Sequence, residues 1–317
     1  MPPHGGHVFL CDFAKSHVEE LTILVCSLPD DTIPGHLRHA WMEELFPDCR
    51  IRSCSENVPQ VPADDPARFW DIWRGVVMRY HPEPIDLVFA SEAYGQRLAD
   101  EVGARFVPCD IARAARPCSG SAIRADPFEH WDFIPAPVRP FFAKRVCTFG
   151  PESSGKTTLA RDLGRHFGTV VVPEYGRTYT ETFGTALNAE DLRRIAEGHL
   201  ASVAAAGRQA NRIVIEDTDP VLTAVWSDML LGAREQWLDD FDDYADLYVL
   251  CGISMPWEDD GTRYFPTVEQ RQRFFALCEA ELTRRSLPYV RVEGNKKARL
   301  ERSVAEIERR FRMPRRG

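Results

Sequence analysis

The octet Gly150-Pro151-Glu152-Ser153-Ser154-Gly155-Lys156-Thr157 has the residue types and spacing G-x-x-x-x-G-K-[ST] of a phosphate-binding loop. Its glycines let successive backbone N–H groups converge on phosphate oxygens, and the start of the following helix adds positive potential. Gly150, Ser153, Ser154, Gly155, Lys156, Thr157 and Thr158 are therefore expected to hold ATP. Lys156 reaches the terminal phosphates and the Thr157 hydroxyl is a ligand for Mg²⁺. A loop of this kind also needs a carboxylate at the end of a neighbouring strand to complete the metal shell. The run Arg212-Ile213-Val214-Ile215-Glu216-Asp217-Thr218-Asp219 supplies it, since buried strands do not end in acids without a reason. Asp217 is assigned to the metal, with Asp219 as its rival. Asp219 reads as a substrate contact and equally as a helix N-cap before Pro220.

Phosphoryl transfer to a hydroxyl needs a base, and a carboxylate near the terminal phosphate is the expected one. Glu174, in Val172-Pro173-Glu174-Tyr175-Gly176-Arg177, follows a second strand-like run and is the candidate, with a neighbouring Asp still open. Tyr175 and Arg177 are expected beside the acceptor, although Glu174 and Arg177 read equally as a surface ion pair. In the polar, aromatic segment Met255–Arg263, Trp257 offers a face for a flat ring and Arg263 a guanidinium to close over phosphate.

A second set of reactive types lies near the start of the chain. His4-Gly5-Gly6-His7 and Ser119-Gly120-Ser121-Ala122-Ile123-Arg124 are each weak alone. Together they resemble the H-x-G-H and I-S-x-x-x-I-R signatures of nucleotidylyltransferases. His4, His7 and Arg124 would stabilise charge on a transferring nucleotidyl group, and Ser119 would contact its phosphates. No base is required there, because the attacking phosphate of a mononucleotide is already ionised.

The elements that must position these residues form two strand–helix successions. Apolar runs at Leu21–Cys26, Ile85–Ala90 and Arg105–Pro108 predict strands in the first half. Phe69, Ile72, Trp73, Val76, Val77 and Tyr80 recur at helical spacing and predict a helix over Arg68–Tyr80. The proline-rich passage Ile134–Pro140 breaks the chain. Strands then follow at Arg145–Phe149, Thr169–Val172, Arg212–Glu216, Leu247–Cys251 and Tyr289–Val292, with a helix from Lys156 to about Phe167 behind the phosphate loop. This alternation implies parallel sheets covered on both faces, in two α/β domains at 1–140 and 141–317.

Composition narrows the function further. The net charge of −9, from 39 Lys+Arg and 48 Asp+Glu, argues against nucleic acid as the main partner. The nine cysteines show no paired metal-ligand spacing and fit reduced thiols. No apolar stretch is long enough for a membrane span, and the N-terminus lacks a signal peptide, so a cytoplasmic location is expected. The sequence leaves a monomer and a homo-oligomer both open.

Taken in order, these motifs resemble the NadR-type bifunctional proteins of pyridine-nucleotide salvage over nearly the whole chain. Phe69-Trp70-Asp71-Ile72-Trp73, Ala90-Ser91-Glu92, Pro127-Phe128-Glu129-His130-Trp131 and Pro256-Trp257 through Arg263 join those already described. The resemblance implies a Rossmann-like nucleotidylyltransferase sheet followed by a P-loop kinase sheet. The second domain would phosphorylate nicotinamide riboside with ATP and Mg²⁺. The first would join nicotinamide mononucleotide to AMP, giving NAD and pyrophosphate, with Trp70 or Trp73 and Trp257 as stacking surfaces. In the family the histidine motif follows a complete first strand ending in a Gly-x-Phe-x-Pro-type turn. Here Met1 stands at that turn, so a sheet lacking this strand is expected. The kinase is expected to work, and the adenylyltransferase is conditional. No helix-turn-helix is expected, and so no DNA repression. A kinase with a degenerate first domain and a nucleotide-sensing regulator are the alternatives.

Overall fold

The computed structural model describes residues 2–60, 66–255 and 263–313. The chain divides into two compact units, Met1–Val138 and Arg139–Gly317. The first contains α1 (Gly5–Lys15), β1 (Thr22–Cys26), α2 (Gly35–Leu45), β2 (Arg50–Cys54) and α3 (Pro66–Tyr80). It continues with β3 (Leu87–Ala90), α4 (Tyr94–Val102), β4 (Arg105–Pro108) and α5 (Gly120–Ala125), then short 3-10 turns at Trp131–Phe133 and Ala136–Val138.

β1 pairs in parallel with β2, Thr22 opposite Arg50 and Cys26 opposite Cys54. β3 pairs in parallel with β4, Leu87 opposite Arg105. Among the described residues these ladders are separate two-stranded sheets. The consequence is visible in burial. Every residue of the apolar run Thr22–Cys26 stays half-buried, although parallel strands are normally covered on both faces. β2 escapes an apolar-run reading because Arg50, Arg52 and Ser53 break it, with Arg52 and Ser53 exposed.

The second unit runs α6 (Arg139–Phe142), β5 (Lys144–Phe149), α7 (Lys156–Phe167), β6 (Val171–Val172), α8 (Tyr175–Phe183) and α9 (Ala189–Gly207). Then come β7 (Ile213–Asp217), α10 (Pro220–Leu230), α11 (Gln236–Asp240), β8 (Leu247–Cys251), α12 (Val268–Arg284), β9 (Tyr289–Val292) and α13 (Lys296–Phe311). Its five strands are all parallel, in the order β6-β7-β5-β8-β9. β7 and β8 flank β5 on opposite sides and both come later in the chain. The loop leaving β5 therefore opens at the switch point where open α/β sheets bind ligands. β7 and β8 are buried throughout. One core forms where Phe149, Tyr248 and Leu250 of the sheet meet Val225 of α10 and Phe274, Cys278 and Leu282 of α12.

Candidate functional site

The phosphate loop joins β5 to α7. Gly150 has φ +133°, and a Cβ there would stand 2.8 Å from the Cys251 carbonyl oxygen, so only glycine fits. Gly155 (φ +85°) and Ser153 (φ +55°) also turn left-handed, curling the loop toward the start of α7. Ser154 Oγ and Lys156 Nζ both donate to the Pro151 carbonyl, each at 2.7 Å, holding the loop closed from within. Arg299 of α13 supports it from behind. Its guanidinium donates to the carbonyls of Ser154 and, at 3.0 Å, of Gly252, and to Ser254 Oγ at 2.8 Å.

A cavity of about 380 Å³ opens above this loop. Ser153 through Thr158 form one wall, which gathers the expected Ser153, Ser154, Gly155, Lys156, Thr157 and Thr158. Glu174 and Arg177, at the start of α8, form another, with Arg177 Nε 3.9 Å from Glu174 Oε2. The pair thus faces a cavity and is no stray surface contact. Tyr175 does not line it. One residue further along the helix, its ring lies across α9, where a Cβ on Gly198 would stand 2.2 Å from Tyr175 Cε1. Tyr175 thus packs against α9 and is not among the residues that line the cavity.

The acids at the end of β7 separate by their partners. Asp217 Oδ1 accepts from Thr148 Oγ1 at 3.3 Å, while its buried Oδ2 has no hydrogen-bond partner among the described residues. Asp219 lines the cavity, but both its oxygens are engaged. Oδ1 caps α10 at the Leu222 N–H (3.2 Å) and Oδ2 accepts from Tyr248 Oη (2.5 Å). Burial pushes the Asp219 carboxyl up to about 6, against the Tyr248 hydrogen bond that lowers it. Asp219 is thereby a cap and core partner first. Thr218, between the two acids, takes φ +74°, a costly conformation for a β-branched residue. Thr157 lines the cavity and Asp217 lies just behind the Thr218–Asp219 part of its wall; oxygen donors of these kinds suit Mg²⁺.

Sequence reasoning missed the aromatic part of the cavity's lining. Trp226 of α10 and Tyr264 line the cavity with ring centroids 5.6 Å apart, and Phe265 stacks on Trp226 at 5.8 Å and 26°. Trp226 was masked by the continuous apolar run of α10, which reads as core on every side. Arg263 lines the cavity and donates to Ser153 Oγ. Trp257 lies outside the described residues.

In the first unit, His4 caps α1, its Nδ1 accepting the Gly6 N–H at 3.1 Å. The same nitrogen lies 3.4 Å from Cys118 Sγ, which brings the stretch ending in Ser119 against the histidine motif. Ser119 caps α5 through the Ala122 N–H, and Arg124 is exposed in its last turn. The His4 and His7 rings stand 3.9 Å apart. Burial, then Arg113, lowers His4 to about 4; burial, then His4, lowers His7 to about 3. Both are neutral near pH 7 and offer N–H donors instead of charge. Trp73 Nε1 donates to the Pro59 carbonyl at 2.9 Å, and Trp70 meets Phe69 edge-on at 4.9 Å. Phe128 and Trp131 are buried core residues. No helix among the described residues is long and apolar enough to cross a membrane.

The fold and the loop define a P-loop nucleotide-binding unit of kinase type, preceded by a second α/β unit. A family model described as AAA domain matches residues 145–299. The trifunctional NAD biosynthesis/regulator protein NadR of Escherichia coli (strain K12) is 31% identical over 319 residues, spanning 92% of this chain and 76% of that protein. The crystal structures of NadR protein in complex with NR, and with NAD and AMP-PNP, each match at a TM-score of 0.76. They cover 100% of this chain and 95% of theirs, at 21% and 22% identity. The chain belongs to the NadR family.

Proposed function

We propose that the second unit transfers the terminal phosphoryl group of ATP to the primary hydroxyl of nicotinamide riboside, giving nicotinamide mononucleotide and ADP. The observation that carries this reading is the cavity itself, with a phosphate loop on one wall, a carboxylate–guanidinium pair on another and two aromatic rings on a third. The nicotinamide ring of the riboside is a cation, and the Trp226 and Tyr264 rings, which meet edge-on, offer aromatic surfaces suited to hold it. Glu174 takes the hydroxyl proton as its oxygen attacks the γ-phosphorus. Lys156, Arg263 and the loop N–H groups hold the charge that moves onto the departing ADP. Mg²⁺ held by Thr157 and Asp217 would neutralise the β- and γ-phosphate oxygens.

For the first unit we propose adenylyl transfer. The phosphate of nicotinamide mononucleotide attacks the α-phosphorus of ATP, NAD forms and pyrophosphate leaves. His4 and His7, as neutral donors, would hold the transferring group, with Ser119 and Arg124 on its far side. The crystal structures with NR and with NAD and AMP-PNP support ligands of these classes. A narrower reading, phosphorylation alone, is favoured by the two separate ladders of the first unit.

The test incubates the purified chain with nicotinamide riboside, ATP and Mg²⁺ and separates the products by chromatography. Mononucleotide with NAD is the outcome of both activities, and mononucleotide alone is that of the kinase only. A folded, ATP-binding sample yielding neither refutes the proposal.

A further inference from the structure

Glu152 is out of place by charge. It puts a carboxylate inside a loop whose purpose is to bind a polyanion, and it is 7% exposed. Its oxygens turn away toward the segment after Arg263. Oε1 accepts the Phe265 N–H at 2.7 Å and the Tyr264 N–H at 3.2 Å, and Oε2 accepts the Tyr264 N–H at 3.0 Å. Three consecutive residues there face three different parts of the site. Arg263 donates to Ser153 Oγ of the phosphate loop. Tyr264 sets its ring beside Trp226 and donates its hydroxyl to the Thr185 carbonyl at 2.7 Å. Phe265 anchors the segment in the core, stacked on Trp226 and edge-on to Phe274 at 5.7 Å.

We propose that Glu152 is a positioning residue that latches residues 263–265 to the phosphate loop, so that the acceptor side of the cavity is set from that loop by one carboxylate. The proposal rests on the kinase reading for the identity of the acceptor. Backbone N–H donors to an ionised acceptor are among the stronger hydrogen bonds, and two residues share this one. Tyr264 takes its ring position from its backbone, and its backbone from Glu152. A charge with no latch function would act differently. Its removal would relieve repulsion of the phosphates, tighten ATP and leave the acceptor untouched.

The experiment compares Glu152→Ala and Glu152→Gln with the unaltered full chain by hydrogen exchange and by steady-state kinetics. In Glu152→Ala the Tyr264 and Phe265 amides are expected to exchange at least about tenfold faster, because their acceptor is gone. The KM for nicotinamide riboside is expected to rise about tenfold, with the KM for ATP changing by less than about threefold. Glu152→Gln keeps an acceptor oxygen and is expected to fall between. Unchanged exchange at 264–265 overturns the latch, whatever the enzyme does. Faster exchange with an unchanged riboside KM overturns the coupling, as does a fall in the KM for ATP alone. Absence of phosphoryl transfer in the unaltered chain refutes the kinase reading, while the exchange result still decides the latch.

Discussion

Replacing Arg145 by Met tests how the acidic end of β7 is held. Arg145 reaches from β5 to Glu216 through two hydrogen bonds, Nε to Oε1 at 2.5 Å and Nη2 to Oε2 at 3.1 Å. Glu216 is fully buried immediately before Asp217, and His199 Nε2 is its second partner at 3.1 Å. Burial, the largest influence, raises the Glu216 carboxyl, but the His199 and Arg145 hydrogen bonds and the Arg145 charge outweigh it and hold it below its usual range. Removing one partner of a buried pair costs about 3–5 kcal/mol, against a total stability of roughly 5–15 kcal/mol. The sign of the pH dependence follows. In the unaltered chain the depressed Glu216 contributes stability that is present above its unfolded pKa, about 4.5, and is lost as pH falls below it. In Arg145→Met, with only the His199 hydrogen bond left against burial, the carboxyl is expected to rise, so that stability falls as pH increases. Urea unfolding of the two chains is therefore expected to differ most at about pH 8 and least at about pH 5. A difference under about 1 kcal/mol at the higher pH, or a larger one at the lower pH, refutes the reasoning. The double variant Arg145→Met/Glu216→Leu is expected to be more stable than Arg145→Met alone.

Other perturbations address the remaining walls of the cavity. Glu174→Gln is expected to lower kcat about 10²–10⁴-fold while calorimetry shows ATP binding retained; normal turnover would exclude Glu174 as the base. Asp217→Asn, which exchanges the orphaned oxygen's charge for an amide, is expected to raise about tenfold the Mg²⁺ concentration for half-maximal rate. An unchanged Mg²⁺ titration would move the metal elsewhere. For Trp226→Ala the riboside KM should rise roughly tenfold with little change in the KM for ATP, and equal effects on both would mean a packing role alone. Gly198→Ala forces a Cβ into the Tyr175 ring and should cost about 1–3 kcal/mol in urea unfolding. No loss there would mean that Tyr175 is free to turn away.

The sequence was most informative where backbone and chemistry are tied together. Gly150–Thr157 specifies a turn, a helix start and an anion site at once, and α7 runs over Lys156–Phe167 as the motif demands. β4, β8 and β9 also lie on the runs read as strands: β8 is apolar throughout, and β9 alternates apolar with polar residues. Recognition failed where a residue's role depends on a partner distant in sequence. Nothing near Tyr175 shows that Gly198 makes room for its ring. Nothing near Trp226 shows that Tyr264 will stand beside it. Glu152 looks like a variable position of the loop until its acceptance of the Tyr264 and Phe265 amides is seen. Asp219 was the intermediate case. The cap before Pro220 was legible, but the Tyr248 hydroxyl that occupies its other oxygen comes from β8.

The buried acids of the second unit pose an electrostatic problem whose solution bears on mechanism. Glu152, Glu216, Asp217 and Asp219 are all nearly inaccessible around a loop that must accept a polyphosphate. Left uncompensated, they would repel the ligand and cost the fold several kcal/mol each. Three are answered by donors fixed in the fold. Backbone amides meet Glu152, Arg145 and His199 meet Glu216, and a helix terminus with the Tyr248 hydroxyl meets Asp219. Each of those carboxylates thereby has its hydrogen-bond donors within the protein. Asp217 differs, with one oxygen on Thr148 and the other without a hydrogen-bond partner among the described residues. On the proposed kinase reading, the unsatisfied oxygen is where the Mg²⁺ of phosphoryl transfer would restore balance. The selection of Asp217 over Asp219 thus rests on how the surrounding donors are distributed, which the order of the residues in Asp217-Thr218-Asp219 does not reveal.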